Sequence, residues 1–227
     1  MNQVREMFGR IAMGYDLMNR VISIGQDRKW RRYLVQMTCM TNNSKMLDIG
    51  CGTGKIAFEA KKRYPFSQIF GIDITIEMLK VAIKRIGSEK IEWSLGDAED
   101  LPFGDNSFDA VTSGYLIRNV KDIRAALKEQ IRVVKEGGRI VCLETCPPPN
   151  NFLKPYIQFY LRHIIPFLGQ IIVKDRSAYT YLPATTQKFL SPEKVVDIMK
   201  ELGLVSVSFK RFMFGTQVVI CGIKSTF

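Results

Sequence analysis

The sequence lacks a CxxC pair, contains a single histidine, and has no apolar run as long as the 18 to 20 residues of a membrane-spanning helix. An odd count of five cysteines, with no apolar signal-peptide core after the N-terminus, argues for reduced thiols instead of a disulfide framework. With His163 as the one histidine, we expect no metal site. These absences predict a cytoplasmic protein that has neither a disulfide framework nor a structural metal site.

Acidic residues are scarce at both ends of the chain. The net charge of +11 divides into +4 for residues 1–40, +1 for residues 41–150 and +6 for residues 151–227. Such an excess indicates an acidic partner surface, either nucleic acid or anionic lipid, or else a solvated surface that keeps the protein soluble. Both explanations remain open at this point.

Between residues 45 and 143, short apolar runs alternate with longer amphipathic stretches, which is typical of parallel strands joined by crossover helices. We therefore predict an α/β fold with a doubly wound sheet in a single domain of 227 residues. The strand candidates are Lys45–Ile49, Gln68–Asp73, 91–95, 108–113 and 139–144, and the helix candidates are Lys55–Arg63, 76–86 and 123–134, the last stopped by Gly137 and Gly138.

The segments before and after this core differ from it in amino-acid composition. Residues 1–40 are predicted to form a helical cap on the 45–144 core. Three prolines at positions 147 to 149 open an insertion, 147–190, whose aromatic stretch we expect Pro166 and Gly169 to break into short helices. A Ser-Pro N-terminal signal at residue 191 begins a last helix to about residue 202, and strands 205–210 and 217–223 complete the 191–227 segment.

The run Asp48-Ile49-Gly50-Cys51-Gly52-Thr53-Gly54 lies at a predicted switch from strand to helix. Glycines there let the backbone approach a ligand, and the helix presents unpaired N–H groups to an anion. Asp73 ends the second strand, where a carboxylate can accept hydrogen bonds from both ribose hydroxyls. These features alone fit a nicotinamide cofactor equally well.

The segment from Gly96 to Phe103, Gly-Asp-Ala-Glu-Asp-Leu-Pro-Phe, resembles the methyltransferase loop in which an aspartate, here Asp97, accepts from the adenine amino group. The ordered set of strand, glycine loop and two acids therefore indicates S-adenosyl-L-methionine. The cofactor-binding residues that we predict are Tyr15, Asp48, Gly50, Gly52, Thr53, Asp73, Ile74, Met78, Asp97, Ala98 and Gly114.

Nearly the whole chain resembles the C-methyltransferases of ubiquinone and menaquinone biosynthesis. The segments that carry this resemblance are Met7-Phe8-Gly9-Arg10-Ile11-Ala12, Tyr15-Asp16-Leu17-Met18-Asn19 with Ser23 and Trp30, Arg118-Asn119-Val120, residues 132–139 closing on Glu144, and Ser177-Ala178-Tyr179-Thr180-Tyr181-Leu182. The resemblance implies a class I methyltransferase fold with a seven-stranded Rossmann-like sheet. It also implies C-methylation of a prenylated quinol ring, with demethylmenaquinol converted to menaquinol favoured over a 2-methoxy-polyprenyl benzoquinol.

Three positions depart from the family pattern. Glu136 stands where proline is common, and a turn accommodates either. Asp27 stands where histidine is common, which removes a histidine's acid/base role there. The segment 114–117, Gly-Tyr-Leu-Ile, replaces the usual Ser-Phe-Gly before the Arg-Asn pair, so the head group of the acceptor is left open between naphthoquinol and benzoquinol.

The predicted catalytic residues are Arg118, Asn119 and Tyr181. Methyl transfer to a ring carbon needs alignment and an ionised ring hydroxyl; we predict that Arg118 stabilises the phenolate and that Asn119 orients the ring oxygen. The alternative for Arg118 is a surface ion pair with Asp122. Tyr15 and Tyr181 are candidates to close over the methyl donor and the acceptor. The alternative is that each packs as a half-buried aromatic side chain. His163 is interpreted as structural, and the identity of the general base stays open.

The aromatic insertion carries basic side chains at Lys154, Arg162, Lys174 and Arg176. An amphipathic basic element suits peripheral association with the anionic inner face of a membrane and uptake of a prenylated lipid; the alternative is an ordinary helix pair over the sheet. We expect no nucleic-acid partner, although RNA methylation and a non-catalytic cofactor-binding protein are rival hypotheses. The sequence leaves monomer and homodimer open.

Overall fold

A seven-stranded mixed sheet forms the centre of the computed structural model, which describes residues 2 to 226 except the side chains of Asn2, Gln3, Arg176 and Lys188. The strands are β1 Lys45–Ile49, β2 Gln68–Asp73, β3 Glu92–Leu95, β4 Phe108–Gly114, β5 Val134–Thr145, β6 Leu204–Phe212 and β7 Gln217–Lys224. Their order is β3-β2-β1-β4-β5-β7-β6, with β7 antiparallel to both β5 and β6. The predicted seven-stranded α/β sheet is confirmed.

Helices cover both faces of the sheet. They are α1 Asn2–Ile11, α2 Tyr15–Ile22, α3 Asp27–Met37, α4 Lys55–Arg63, α5 Ile76–Ile83, α6 Ile123–Val133, α7 Lys154–Phe159, α8 Ile165–Ile172, α9 Arg176–Lys188 and α10 Pro192–Glu201. Apolar side chains of α6 and α10 join the core on one face, and those of α3 and α4 join the core on the other. Helices cover both faces of the parallel strands, and in such folds ligands bind beyond the carboxyl ends of the strands. We call this end of the sheet its open edge.

The double glycine after α6 lies inside β5. Val134 pairs with Phe108 and Arg139 with Ala110, so the register shifts between them. Gly137 has a φ of +71°, and a Cβ on Gly138 would lie 2.9 Å from the carbonyl oxygen of Asp109. The prediction that these glycines stop the helix is wrong: the helix ends at residue 133, and the glycines permit a β-bulge.

The insertion is also more continuous than predicted. A π-helical turn, Tyr160–Ile164, connects α7 to α8, and Pro166 lies in the first turn of α8, where the missing N–H is tolerated. Gly169 lies within α8, where a Cβ would come within 2.5 Å of the Tyr179 ring. The predicted break at Gly169 is therefore wrong, because close packing on α9 explains the glycine.

The N-terminal helices and the insertion share one apolar cluster. Its buried members are Met7, Ile11, Met18, Leu161, Ile165, Ala178 and Tyr179. Gly14 lies against Val173, and the Tyr160 hydroxyl donates to the Ile22 carbonyl over 3.0 Å. Segments about 140 residues apart in sequence thus form one layer over the strand ends. In the described part of the chain, no helix has the length and apolarity to span a membrane.

Candidate active site

The glycine loop leaves the carboxyl end of β1 and leads into α4. Gly50, Gly52 and Gly54 have φ values of +61°, +55° and +79°, which disfavour any residue with a Cβ. A Cβ on Gly54 would also lie 2.5 Å from the Trp93 ring. The loop therefore requires glycine both for its backbone conformation and for its contact with β3.

Asp73 closes the loop from the next strand. Its carboxylate accepts from the backbone N–H of Gly52 over 2.7 Å and from that of Thr75 over 2.8 Å. Burial raises the pKa of Asp73, an effect that these hydrogen bonds partly offset. Asp97 accepts from the Glu99 N–H over 3.0 Å in a turn after β3. Both carboxylates are fixed by backbone donors at the open edge of the sheet.

A first cavity, which we call the donor cavity, lies between the glycine loop, Asp73 and Asp97. The predicted cofactor-binding residues that line it are Tyr15, Gly50, Gly52, Asp73, Ile74, Met78, Asp97, Ala98 and Gly114. Val4, Arg5 and Phe8 of α1 also line it, although the sequence prediction does not include them. The roles of all these residues in binding remain predictions.

Two other predicted cofactor residues, Asp48 and Thr53, do not line the donor cavity. Asp48 is fully buried and accepts from the Thr112 hydroxyl over 2.9 Å, and burial raises its pKa to about 7. The Thr53 hydroxyl donates to Asp16 over 2.7 Å. Asp16 also forms ion pairs with Lys55 and Arg85, so this cluster ties α2 to the glycine loop. The structure thus gives Asp48 and Thr53 contacts that hold the loop.

A second cavity of about 310 Å³, the acceptor cavity, lies between the sheet edge, the N-terminal helices and the insertion. Its walls are mainly apolar and aromatic, contributed by residues such as Met7, Ile11, Trp30, Ile157, Leu161 and Leu182. Phe8, Tyr15 and Tyr115 line both cavities. A ligand in one cavity therefore shares aromatic walls with a ligand in the other.

Arg118 lines the acceptor cavity and forms a buried ion pair with Glu144 at the end of β5. Glu144 also accepts from the Thr145 N–H over 2.8 Å. Burial lowers the pKa of Arg118, but Glu144 together with Tyr15 and Tyr115 raises it more, so the guanidinium stays charged. Asp122 instead caps α6, accepting from the Arg124 N–H over 2.7 Å. The alternative surface pair with Asp122 is excluded by these contacts.

Asn119 and Tyr181 form a link between the cavities. The Tyr181 hydroxyl donates to Asn119 Oδ1 over 3.1 Å, and Asn119 Nδ2 donates to the Tyr115 carbonyl over 2.7 Å. Asn119 lines the donor cavity and Tyr181 the acceptor cavity. Burial raises the pKa of Tyr181, which keeps its phenol protonated. Asn119 is therefore placed to orient Tyr181, and Tyr181 is the member of the pair that lines the acceptor cavity.

Unpartnered polar atoms occur among the acceptor-cavity residues. They are Asn19 Nδ2, Arg118 Nε, Tyr179 Oη and Gln217 Oε1. Each buried polar group without a partner costs about 1 to 3 kcal/mol, a cost that a polar ligand group can offset. A mostly apolar cavity with such atoms suits a ligand that combines a large apolar body with a few oxygens.

Residues that the sequence prediction did not assign to the site include Asn19, Ser23, Asp27 and Gln217. The first three lie in the N-terminal signature, so their clustering in sequence was an available signal, whereas only the tertiary pairing of β7 brings Gln217 to this edge. His163 is exposed, contacts the Phe159 ring with centroids 4.9 Å apart and does not line the cavity, as expected of a surface residue outside the catalytic set.

Comparison with known sequences agrees with this geometry. Residues 1–224 match the ubiE/COQ5 methyltransferase family. The ubiquinone/menaquinone biosynthesis C-methyltransferase of Desulfotalea psychrophila is 45% identical over 221 residues, covering 97% of this chain and 90% of that protein. The demethylmenaquinone methyltransferase of Thermotoga maritima is 41% identical over 217 residues, covering 95% and 93%.

Solved structures are similar in fold. A Thermotoga maritima S-adenosylmethionine-dependent methyltransferase, described as a possible histamine N-methyltransferase, superposes with a TM-score of 0.68 at 21% identity and covers 97% of this chain and 99% of its own. Haemonchus contortus phosphoethanolamine N-methyltransferase 2, solved with S-adenosyl-L-methionine, gives a TM-score of 0.67 at 17% identity, covering 87% of this chain and 53% of that chain. At these identities the likeness concerns the fold alone.

Proposed function

Because this chain belongs to the ubiE/COQ5 methyltransferase family, we propose that it methylates the ring of a prenylated naphthoquinol, converting demethylmenaquinol to menaquinol. The chain is an S-adenosylmethionine-dependent C-methyltransferase of quinones. The observation that carries the proposal is the acceptor cavity, which is mainly apolar yet holds unpartnered polar atoms and shares three aromatic walls with the donor cavity. The name of the Thermotoga maritima relative favours the naphthoquinol.

The residues of the donor cavity fit S-adenosylmethionine. Asp73 retains lone pairs beyond the two backbone hydrogen bonds it accepts, as a partner for ribose hydroxyls must. Asp97, Ile74 and Met78 offer a carboxylate and apolar surfaces for an adenine ring, and Gly50 and Gly52 let the backbone approach. The bound cofactor supplies an electrophilic methyl group.

The protein's task is then to orient the acceptor and to stabilise charge on its oxygen. Arg118 offers a permanent positive charge, held in place by Glu144, beside the ring oxygen that becomes anionic. Tyr181, oriented by Asn119, offers a neutral O–H donor to the same region. Apolar walls exclude water and accommodate the start of an isoprenoid tail.

Turnover with matched acceptors tests the proposal. Purified protein is incubated anaerobically with labelled S-adenosylmethionine and either short-chain demethylmenaquinol or 2-methoxy-prenyl benzoquinol, and products are identified by mass spectrometry. We expect methylated naphthoquinol at the higher kcat/KM. A higher value for the benzoquinol would transfer the assignment to that acceptor. Absence of product from both, or label incorporated into added RNA instead, would overturn the quinol proposal.

We also propose that the protein docks on an anionic membrane around the mouth of the acceptor cavity. Ile24, Tyr156 and Phe214 line this cavity and are also exposed, so the cavity opens among them. Other large apolar side chains are exposed on segments that contribute to this cavity, namely α2, the start of the insertion, α7 and α8: Leu17, Phe152, Phe159, Phe167 and Ile171. Arg20 in α2, Lys154 in α7 and Arg162 in the π turn supply positive charge.

Vesicle flotation tests this docking surface with matched phenylalanines. The variant Phe152→Ser/Phe167→Ser removes two exposed rings of the insertion, and Phe66→Ser removes one that is 77% exposed at the turn before β2. We expect wild-type protein and Phe66→Ser to bind phosphatidylglycerol vesicles at low salt, and the double variant to bind at least tenfold more weakly. Equal binding of all three proteins, or no wild-type binding, would contradict the proposal.

A further inference from the structure

The acceptor cavity contains a carboxylate to which the mechanism above assigns no task. Asp27, the first residue of α3, lines the cavity together with Ser23 and Trp30. Of the described residues that line this cavity, Asp27 is the one carboxylate. An aspartate at position 27 has acid/base chemistry of its own, different from that of the histidine common in the family.

The contacts of Asp27 hold it in place while leaving acceptor capacity. Arg31, one helical turn later, pairs with Oδ2, and the Ser23 hydroxyl donates to Oδ1 over 3.3 Å. The hydroxyl contact is long compared with the usual 2.7 to 2.8 Å of such bonds. A carboxylate has about four lone-pair sites, so these two donors leave room for a hydroxyl of the ligand.

Other groups of the cavity are poor proton acceptors. Arg118 is donor-only and charged, and burial raises the pKa of the Tyr115, Tyr179 and Tyr181 phenols, which keeps them protonated. His163 lies outside the cavity wall, on the π turn. The cavity therefore supplies one strong charge stabiliser and one anionic acceptor on different elements.

We propose that Asp27 is the general base of the reaction, accepting the proton of the acceptor's ring hydroxyl. This inference rests on the proposed function. The O–H bond breaks, the proton moves to a carboxylate oxygen of Asp27, and the electron pair remains on the ring oxygen, whose charge Arg118 compensates. The ring carbon beside that oxygen forms a bond to the methyl group while the methyl–sulfur bond of the donor breaks and leaves its electron pair on sulfur, and the C–H proton of that carbon then leaves to solvent. Asp27 returns its own proton to the ring oxygen, so that one proton is released per turnover.

A purely structural role is the competing explanation, since a carboxylate in the first turn of α3 favours the helix and pairs with Arg31. Asp175 offers a matched control. It caps α9 by accepting from the Ala178 N–H over 3.0 Å and pairs with Arg10, but it does not line the cavity. Asp175→Asn therefore measures the effect of losing a carboxylate that caps a helix and forms an ion pair. It leaves the proposed base in place.

The test compares wild-type protein, Asp27→Asn, Asp27→His and Asp175→Asn. We expect Asp27→Asn to lower kcat at least 100-fold with the Kd for S-adenosylmethionine within threefold of wild type, and Asp175→Asn to keep kcat within threefold. Asp27→His should regain much of the lost rate, with an inflection in log kcat near pH 6.5 that Asp27→Asn lacks. The charged and phenolic groups around this position, Arg31, Arg118, Tyr15, Tyr115 and Tyr179, are the same in every variant.

Ultraviolet difference spectra of the quinol bound with S-adenosylhomocysteine provide a readout independent of turnover. Asp27→Asn should raise the pH at which the bound quinol ionises. A kcat for Asp27→Asn within threefold of wild type, a loss matched by Asp175→Asn, or a quinol ionisation unchanged by Asp27→Asn would each overturn the inference. If wild-type protein methylates neither quinol, the proposed function itself fails, and the inference fails with it.

Discussion

The donor and acceptor cavities are built from differently distributed parts of the chain. The donor cavity takes its carboxylates and glycines from consecutive strand ends between residues 48 and 114. The acceptor cavity joins residues 7–30, Tyr115, Arg118, Thr145, 153–182 and 213–217. One is thus specified by short local motifs at the edge of a parallel sheet, and the other by packing between distant segments. Substitutions outside the three shared aromatic walls should therefore change cofactor binding and acceptor turnover separately.

The largest expected effect concerns stability on the donor side. Burial raises the pKa of Asp48 from 3.8 to about 7, so its contribution to stability is present below pH 4 and is lost as pH rises through 7. This pKa shift corresponds to a change on the order of 4 kcal/mol in the free energy of unfolding. We expect the free energy of unfolding of Asp48→Asn, relative to that of wild type, to rise by about this amount between pH 4 and pH 8. Urea unfolding measures it. Parallel pH profiles would show that Asp48 ionises normally.

The next effect separates the two cavities by kinetics. Arg118→Ala should lower kcat by 10² to 10³ while the Kd for S-adenosylmethionine changes less than threefold, because the lost charge acts on the acceptor oxygen. Asp73→Ala is the opposite case: it should weaken cofactor binding by about 100-fold through lost hydrogen bonds to a charged group. Calorimetry and steady-state rates measure both. Equal losses of turnover and cofactor affinity in Arg118→Ala would erase the distinction.

The smallest effect concerns packing on the acceptor side. Gly169→Ala places a Cβ about 2.5 Å from the Tyr179 ring and should cost about 1 to 3 kcal/mol while raising KM for the quinol only. Gly9→Ala is a matched control, because the nearest atom to its Cβ belongs to the flexible Glu77 side chain. The control should gain up to about 1 kcal/mol from helix propensity. A stabilised Gly169→Ala would mean that α8 and α9 separate easily.

Much of the donor half could be predicted from the sequence. The bounds of β1 and β2 agree with the structure, because apolar runs, loop glycines and a terminal aspartate are local signals. The bulge in β5 could not be predicted, since a double glycine after a helix looks the same whether it ends the helix or bends the next strand. Deciding between them requires knowing that Val134 pairs with Phe108.

The acceptor half was less predictable. Arg118 and Tyr181 were assigned through family motifs, and their partners, Glu144 and Asn119, lie 26 and 62 residues away. Asp27 and Gln217 enter the cavity only because α3 and β7 pack at the same sheet edge. The proline at position 166 suggested a break in the insertion. The π turn before it accommodates the change in helix geometry, so the helical path continues.

We expect the aromatic walls common to both cavities to make the affinities of donor and acceptor interdependent. Phe8, Tyr15 and Tyr115 cannot move to fit one occupant without changing the surface that meets the other. Thermodynamic linkage requires that the factor by which a bound donor changes acceptor affinity equals the factor by which a bound acceptor changes donor affinity. We therefore expect a substitution in any of these three rings to alter both binding equilibria at once.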